Sequence, residues 1–286
     1  MARISDTDLI LGADGSVYHL GLRPDQMANT ILAVGDPTRV AEISMHFDTI
    51  EHRVQKREFN THTGLLNGKR ISVISTGIGP DNVEIFFNEV DALVNINLPT
   101  REPNTVLRSL NIIRVGTSGA LQRDIPVGSF VLSDYAAGLD NLMQFYSLPQ
   151  DASELSIGKE LQKITRLPSV PYIIQGSAQL RDRLKNGMMI GDTVTCPGFY
   201  APQGRQVRIL IRFPELLSAI ASFRLNNFRF TNFEMETSAY FAFGRLLGHH
   251  TASASVILAN RITGELSAKP EKVVGKLIRQ VLDNLV

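Results

Sequence analysis

The sequence predicts an α/β fold built on a largely parallel or mixed sheet, and three observations carry that prediction. Residues 30–35 and 111–120 each open as a short apolar run and contain or end on glycine, the pattern of buried strands. Such runs alternate along the chain with stretches of helical spacing, as at 83–94 and 234–249. The turns between them are rich in glycine, which lets backbone approach a ligand closely where functional groups gather, at strand C-terminal ends.

Taken in order, residues 1–16 mix acidic and polar side chains and read as a loosely held tail. They lack the basic-then-apolar form of a secretory signal. Residues 17–22 form the first apolar patch, and strand 30–35 leads to Asp36-Pro37, where proline predicts a helix start. Residues 70–75 enter the core as a strand and end in the turn Thr76-Gly-Ile-Gly-Pro-Asp-Asn82. That turn is not a dinucleotide fingerprint, because Asn82 stands where a third glycine belongs. Residues 99–104 read as a surface loop, 128–133 as a strand, and 147–170 as a polar excursion over the surface. Glycine 248 is the expected C-cap of the helix begun near Glu236. Residues 252–259 are the last buried strand, and 270–285 an amphipathic closing helix. No repeat or linker divides the chain, so a single domain over residues 1–286 is expected.

Composition narrows the function. A formal net charge of +1 supplies no global field for nucleic acid or an anionic membrane, so neither is an expected partner. Cys196 is the only cysteine, which excludes an internal disulfide and a multi-cysteine metal site. It reads as a passive small residue, since no histidine is evidently placed to activate it. No apolar run is long enough to span a bilayer, and a cytoplasmic location is expected.

Chemistry concentrates at a few places. Arg114 interrupts an apolar run, and Thr117 and Ser118 follow between Gly116 and Gly119. A guanidinium, hydroxyls and open backbone N–H groups at a strand end suit an oxyanion; a structural arginine paired with a core carboxylate is the alternative. Arg39 sits in the first turn after Asp36-Pro37, where the macrodipole disfavours a cation unless an anion is bound there. Glu234 and Glu236 flank Met235 where a strand becomes a helix, so at least one carboxylate is expected to be partly buried. Dipole stabilisation of the helix start is the alternative role for Glu236.

These residues resemble one family. Tyr18-His-Leu-Gly-Leu22, Gly35-Asp-Pro-Thr-Arg39, Arg57-Glu-Phe59, Ser75-Thr-Gly-Ile-Gly79, Arg114-Val-Gly-Thr-Ser-Gly-Ala120, residues 199–205, Glu234-Met-Glu236 and Asn260-Arg261 occur in order. The set is similar to the nucleoside phosphorylase superfamily, and within it to its uridine-cleaving branch. The resemblance implies a three-layer αβα fold around a mixed, distorted, barrel-like sheet. It implies reversible phosphorolysis of uridine to uracil and ribose 1-phosphate, a pentosyl transfer in pyrimidine salvage.

The site residues follow from the same resemblance. Gly35, Arg39, Arg57, Arg114 and Thr117 would bind phosphate, with Arg57 supplied by a neighbouring subunit. Glu234, Met235, Glu236 and the neighbour's His19 would hold the ribose. Phe199 would stack on the base while Gln203 and Arg205 read its edge. Arg205, Gln203, Arg114 and Glu236 are thus the expected catalytic set. The expected assembly is a homodimer with shared sites, in some relatives three dimers forming a hexamer. No organic cofactor is implied, inorganic phosphate being the co-substrate. Bacterial relatives hold potassium at positions matching Glu58, Ile78 and Asn82, the last a serine there, which leaves the ion open here.

Two features bear on the base. Purine-cleaving bacterial relatives carry an aspartate near the end of the last core strand that protonates the purine; Asn260 in this region cannot. Gln203 offers a donor and an acceptor to the imide edge of uracil, and Arg205 donates to a carbonyl that gains charge as the bond breaks. The alternatives are a purine nucleoside phosphorylase or a nucleosidase of the same superfamily. A nucleosidase would have no need of three phosphate arginines.

Overall fold

The computed structural model describes residues 3–286. In chain order its elements are β1 (Thr30–Val34), α1 (Thr38–Ser44), β2 (Thr49–Lys56), β3 (Phe59–Leu66), β4 (Lys69–Ser75), α2 (Pro80–Asn95), β5 (Ile96–Asn97) and β6 (Glu102–Pro103). There follow β7 (Asn111–Ala120), β8 (Phe130–Gly138), α3 (Ala152–Thr165), β9 (Tyr172–Gln175), α4 (Ala178–Leu184) and β10 (Met189–Thr195). The chain then runs through α5 (Leu216–Ser222), β11 (Phe230–Glu234), α6 (Thr237–Leu247), β12 (His250–Asn260) and α7 (Pro270–Leu285).

The main sheet runs β11-β10-β8-β12-β7-β1-β4-β3-β2, with β9 paired to β8. It is mixed: β1, β4, β7 and β12 are parallel neighbours, while β12–β8 and the β2–β3–β4 meander are antiparallel. A further pairing of β11 to β7, Asn232 opposite Ala120 and Phe233 opposite Gly119, closes five strands into a barrel. Helices cover both faces, giving the expected three-layer α/β architecture. On one side α2 and α6 bury Phe86, Phe87, Tyr240 and Phe243. On the other, α7 lays Leu277, Ile278 and Val281 over Val115, Ala254 and Val256. Filling both faces explains why β1 and β7 are apolar without alternation.

Several local expectations change. The excursion at 147–170 contains α3, started by a capping box in which Asp151 accepts from the Glu154 N–H and Glu154 accepts from the Asp151 N–H. The segment at 99–104, expected as a loop, holds the turn and the second strand of the small β5–β6 hairpin. The segment expected as a tail makes defined contacts from Arg3 onward: the Ile4 N–H donates to the Arg101 carbonyl, Arg101 pairs with Asp6, and Leu11 bridges to Val17. Among the described residues no helix is long and apolar enough to cross a membrane.

Candidate active site

The carboxyl ends of β1, β4, β7, β11 and β12 surround a cavity of about 1020 Å³. Gly35, Arg39, Glu58, Ile78, Asn82, Arg114, Thr117, Phe199, Gln203, Arg205 and the run Glu234-Met235-Glu236 all line it. Residues from both halves of the chain therefore meet in one place, as the topology of an α/β sheet requires of its ligand site.

The centre of the cavity is an ion cluster. Arg114 extends from β7 and is buried, its Nη2 lying 2.6 Å from Glu236 Oε2 and 3.1 Å from Glu234 Oε2. Its Nη1 donates to Ser255 Oγ at 3.2 Å. The guanidinium folds back over Gly116, where a Cβ would lie 2.1 Å from Nη1, so glycine is required at that strand position. Burial works against the charge on Arg114, but Glu234 and Glu236 outweigh it and hold the group protonated above its ordinary range. Both carboxylates are buried, more than the sequence required.

The two carboxylates have different work. Glu234 is saturated by protein: it accepts from Thr195 Oγ1 (2.7 Å) and from the N–H groups of Glu236 (2.8 Å) and Thr237 (2.9 Å). It satisfies the open N–H groups at the start of α6 and braces Arg114. Glu236 accepts from the Gly79 N–H at 2.9 Å, which ties β11 to the turn after β4. Gly79 stands at φ +102°, a backbone state that favours glycine. Burial pushes the Glu236 carboxyl up, Arg114 opposes this, and Glu234 adds to it.

Arg39 enters from α1, whose start is organised by Asp36 accepting from the Thr38 N–H (2.9 Å) and hydroxyl (2.8 Å). Partial burial pulls the Arg39 guanidinium below its ordinary range; Asp36 opposes this and the like charge of Arg114 reinforces it. Two cations thus share a cavity with Gly35 and Thr117, an arrangement that an oxyanion would relieve.

The opposite wall is aromatic and basic. The Arg205 guanidinium lies 3.8 Å from the centre of the Phe199 ring and donates to the Phe199 carbonyl (2.8 Å) and to the side-chain oxygen of buried Gln203. Burial lowers the pKa of Arg205, and nearby Arg261 lowers it further. Arg261 donates to the Gln203 carbonyl at 3.0 Å and so supports the loop that carries Gln203 and Arg205. Neither Arg261 nor Phe233, which forms part of the wall, receives a role from sequence reasoning. Phe233 falls out of step with the Phe228–Phe230 alternation, and that was the available signal for it. Ser118 also lines the cavity with a buried hydroxyl that has no protein partner.

Not every expected residue arrives. His19 and Arg57 do not line this cavity. They stand together elsewhere: His19 Nδ1 is 2.6 Å from Glu89 Oε1, and Arg57 donates to the hydroxyl of Tyr18 at 3.3 Å. Asn260 is also outside the wall. Its amide nitrogen donates to the carbonyls of Gln122 (2.8 Å) and Ile125 (2.9 Å), and its oxygen accepts from the N–H groups of Ile262 and Thr263. Leu258 and Ala259 line the wall there instead. Glu58, Ile78 and Asn82 do share one wall, but the Asn82 amide nitrogen donates to the Ile78 carbonyl at 3.4 Å. Cys196 is buried, and burial, reinforced by Glu234, pushes its thiol well above its ordinary range.

The family model described as the phosphorylase superfamily matches residues 29–285. The chain belongs to that superfamily. Within it, a uridine phosphorylase of Thermococcus kodakarensis is 29% identical over 265 residues, covering 91% of this chain and 83% of that protein. A purine nucleoside phosphorylase of the DeoD type from Bacillus velezensis is 24% identical, covering 89% of this chain and 92% of its own. A crystal structure of a Trypanosoma brucei nucleoside phosphorylase, described as showing uridine phosphorylase activity, superposes with a TM-score of 0.89 at 26% identity. It covers 97% of this chain and 99% of its own. The cavity of this superfamily member thus joins an ionic floor of Arg114, Glu234 and Glu236, the unpaired cation Arg39 and an aromatic-amide wall.

Proposed function

We propose that this chain is a uridine phosphorylase, transferring the ribosyl group of uridine to inorganic phosphate and releasing uracil. One observation carries the reading: Arg39 and Arg114 share a cavity with Glu236 on one side and the Gln203–Arg205 pair on the other. Breaking the glycosidic bond builds positive charge on the sugar and negative charge on the leaving base. Phosphate between Arg39, Thr117 and Arg114 serves as both nucleophile and counter-charge. Glu236 and Met235 hold the ribose, while Glu234 braces Arg114. Arg205 stabilises the charge that develops on the uracil oxygen, and Gln203 selects the imide edge. The task is placement and electrostatic stabilisation rather than a covalent intermediate.

In this reading the working form is a cytoplasmic homodimer. The Tyr18–His19 and Arg57 cluster stands outside its own cavity, which supports its delivery to the cavity of a partner chain. A spectrophotometric panel of uridine, thymidine, inosine and methylthioadenosine, each with and without inorganic phosphate, tests the function. Uridine turnover that depends on phosphate is the expected result. Preference for a purine nucleoside, or equal rates without phosphate, overturns it.

A further inference from the structure

A second cavity, of about 640 Å³, lies at the other end of the sheet, where β1 and β4 begin and β7 is approached. Lys69, Arg70, Arg108 and Arg183 line it, and no aspartate or glutamate does. Arg70 is matched by Glu51, at 2.6 Å. Among the described residues Lys69, Arg108 and Arg183 form no ion pair with an acidic side chain. In a chain whose formal net charge is +1, three cations without an acidic side-chain partner around one hollow are a marked local excess.

A structural role explains part of this. Lys69 donates to the backbone oxygens of Leu285 (3.0 Å) and Val286 (3.4 Å), and Arg183 also donates to the Leu285 oxygen, so both serve the end of α7. A helix C-terminus carries only about half a negative charge. Even a full negative charge at Val286 would leave the three-residue group positive. Arg108 has no helix to serve; it donates one N–H to the Asn29 side chain. A guanidinium has five N–H donors, so Arg108 and Arg183 each retain unused ones. Their existing bonds hold both side chains in place, which lowers the entropy that a ligand would otherwise have to overcome.

We propose that this cavity binds a small polyanion, a molecule carrying two or more phosphate or carboxylate groups, at a site separate from the catalytic one. The volume suits a small molecule, and the backbone carbonyls that the cations already hold give the site a fixed shape. The three cations come from β4, from the approach to β7 and from α4, so the site exists only in the folded chain.

The test is calorimetric titration at fixed ionic strength, with saturating inorganic phosphate present to occupy the catalytic anion subsite. Separate arms use inorganic tripolyphosphate, a nucleoside triphosphate and citrate, to distinguish a bare phosphate chain, a nucleotide and a carboxylate ligand. The expected result is one site per chain in at least one arm, weakened about tenfold or more in Arg108→Gln/Arg183→Gln, since charge-assisted hydrogen bonds are lost. Turnover of uridine should be unchanged in that variant, showing that it is folded. If the double variant does not fold, Arg108→Gln alone carries the test, with about threefold weakening. No binding in any arm, or equal binding to wild type and variant, overturns the proposal.

Discussion

Arg114 and Glu236 meet at 2.6 Å in the floor of the larger cavity, and the second oxygen of Glu236 is held at 2.9 Å by the Gly79 N–H. The pair links three separate segments of chain: β7, the turn after β4, and the start of α6. Glu236→Gln keeps the shape and the acceptor for Gly79 but removes the charge. It is expected to lower kcat/KM for phosphorolysis by about 100-fold or more, at nearly wild-type stability. Arg114→Ala behaves differently, leaving two buried carboxylates without their counter-charge. Its expected cost is about 3–5 kcal/mol of unfolding free energy, read by urea denaturation.

Gly116→Ala probes the same cluster from the backbone side. The added methyl would sit 2.1 Å from Arg114 Nη1, so the guanidinium must swing away from its carboxylates. Activity should fall by more than an order of magnitude. The accompanying rise in phosphate KM, measured at saturating uridine, identifies Arg114 as the displaced group.

Arg205→Ala tests the base side. Loss of one preorganised donor to a developing oxyanion costs about 2.7–4 kcal/mol of barrier, so kcat should fall by about two to three orders of magnitude. A variant with near-normal kcat removes Arg205 from the mechanism.

Subunit sharing has its own signature. Arg39→Ala damages a chain's own cavity, whereas Arg57→Ala is expected to damage the partner's. Each variant alone should be nearly inactive. Mixed after reversible dissociation, they form heterodimers with one intact site, and activity should return. No recovery in verified heterodimers places both arginines in the same chain's site.

Asp192 offers a stability test away from the chemistry. Burial, reinforced by Asp134, raises its carboxyl from 3.8 to about 7. Because the folded value exceeds the unfolded one, the contribution of this group is intact below 3.8 and is lost as pH rises toward about 7. Asp192→Asn keeps an acceptor for the Tyr135 N–H while removing the ionisation. It should be more stable than wild type by about 1–2 kcal/mol at pH 8, with the gain vanishing near pH 4. Thermal melts of both proteins across that range measure the difference.

The parts legible in the sequence are those where local chemistry is unusual. Arg114 inside an apolar run, the glycines around it, and two glutamates at a strand–helix junction each break an ordinary pattern, and all reach the same cavity. The closure of the barrel was not legible, since Ala120 and Asn232 meet across more than a hundred residues with no local mark. The β2–β3 hairpin has weak apolar contrast, with β2 alternating only between exposed and half-buried positions. Helix α3 was legible in principle, through Asp151 and Glu154, but its polar surface hid it. The division of labour between Glu234 and Glu236 depends on which N–H groups surround each, and no residue order conveys that. Nor can one chain display what His19 and Arg57 would touch in another.

Gln203 and Arg205, the groups proposed to meet the base, hang on a loop after β10 held to the barrel by Arg261, whereas Arg114 and Arg39, proposed to meet the oxyanion, belong to the strand framework and the first turn of α1. On that reading, substitutions confined to the peripheral span would retune which nucleobase is accepted while leaving the groups proposed to act at the sugar bond in place.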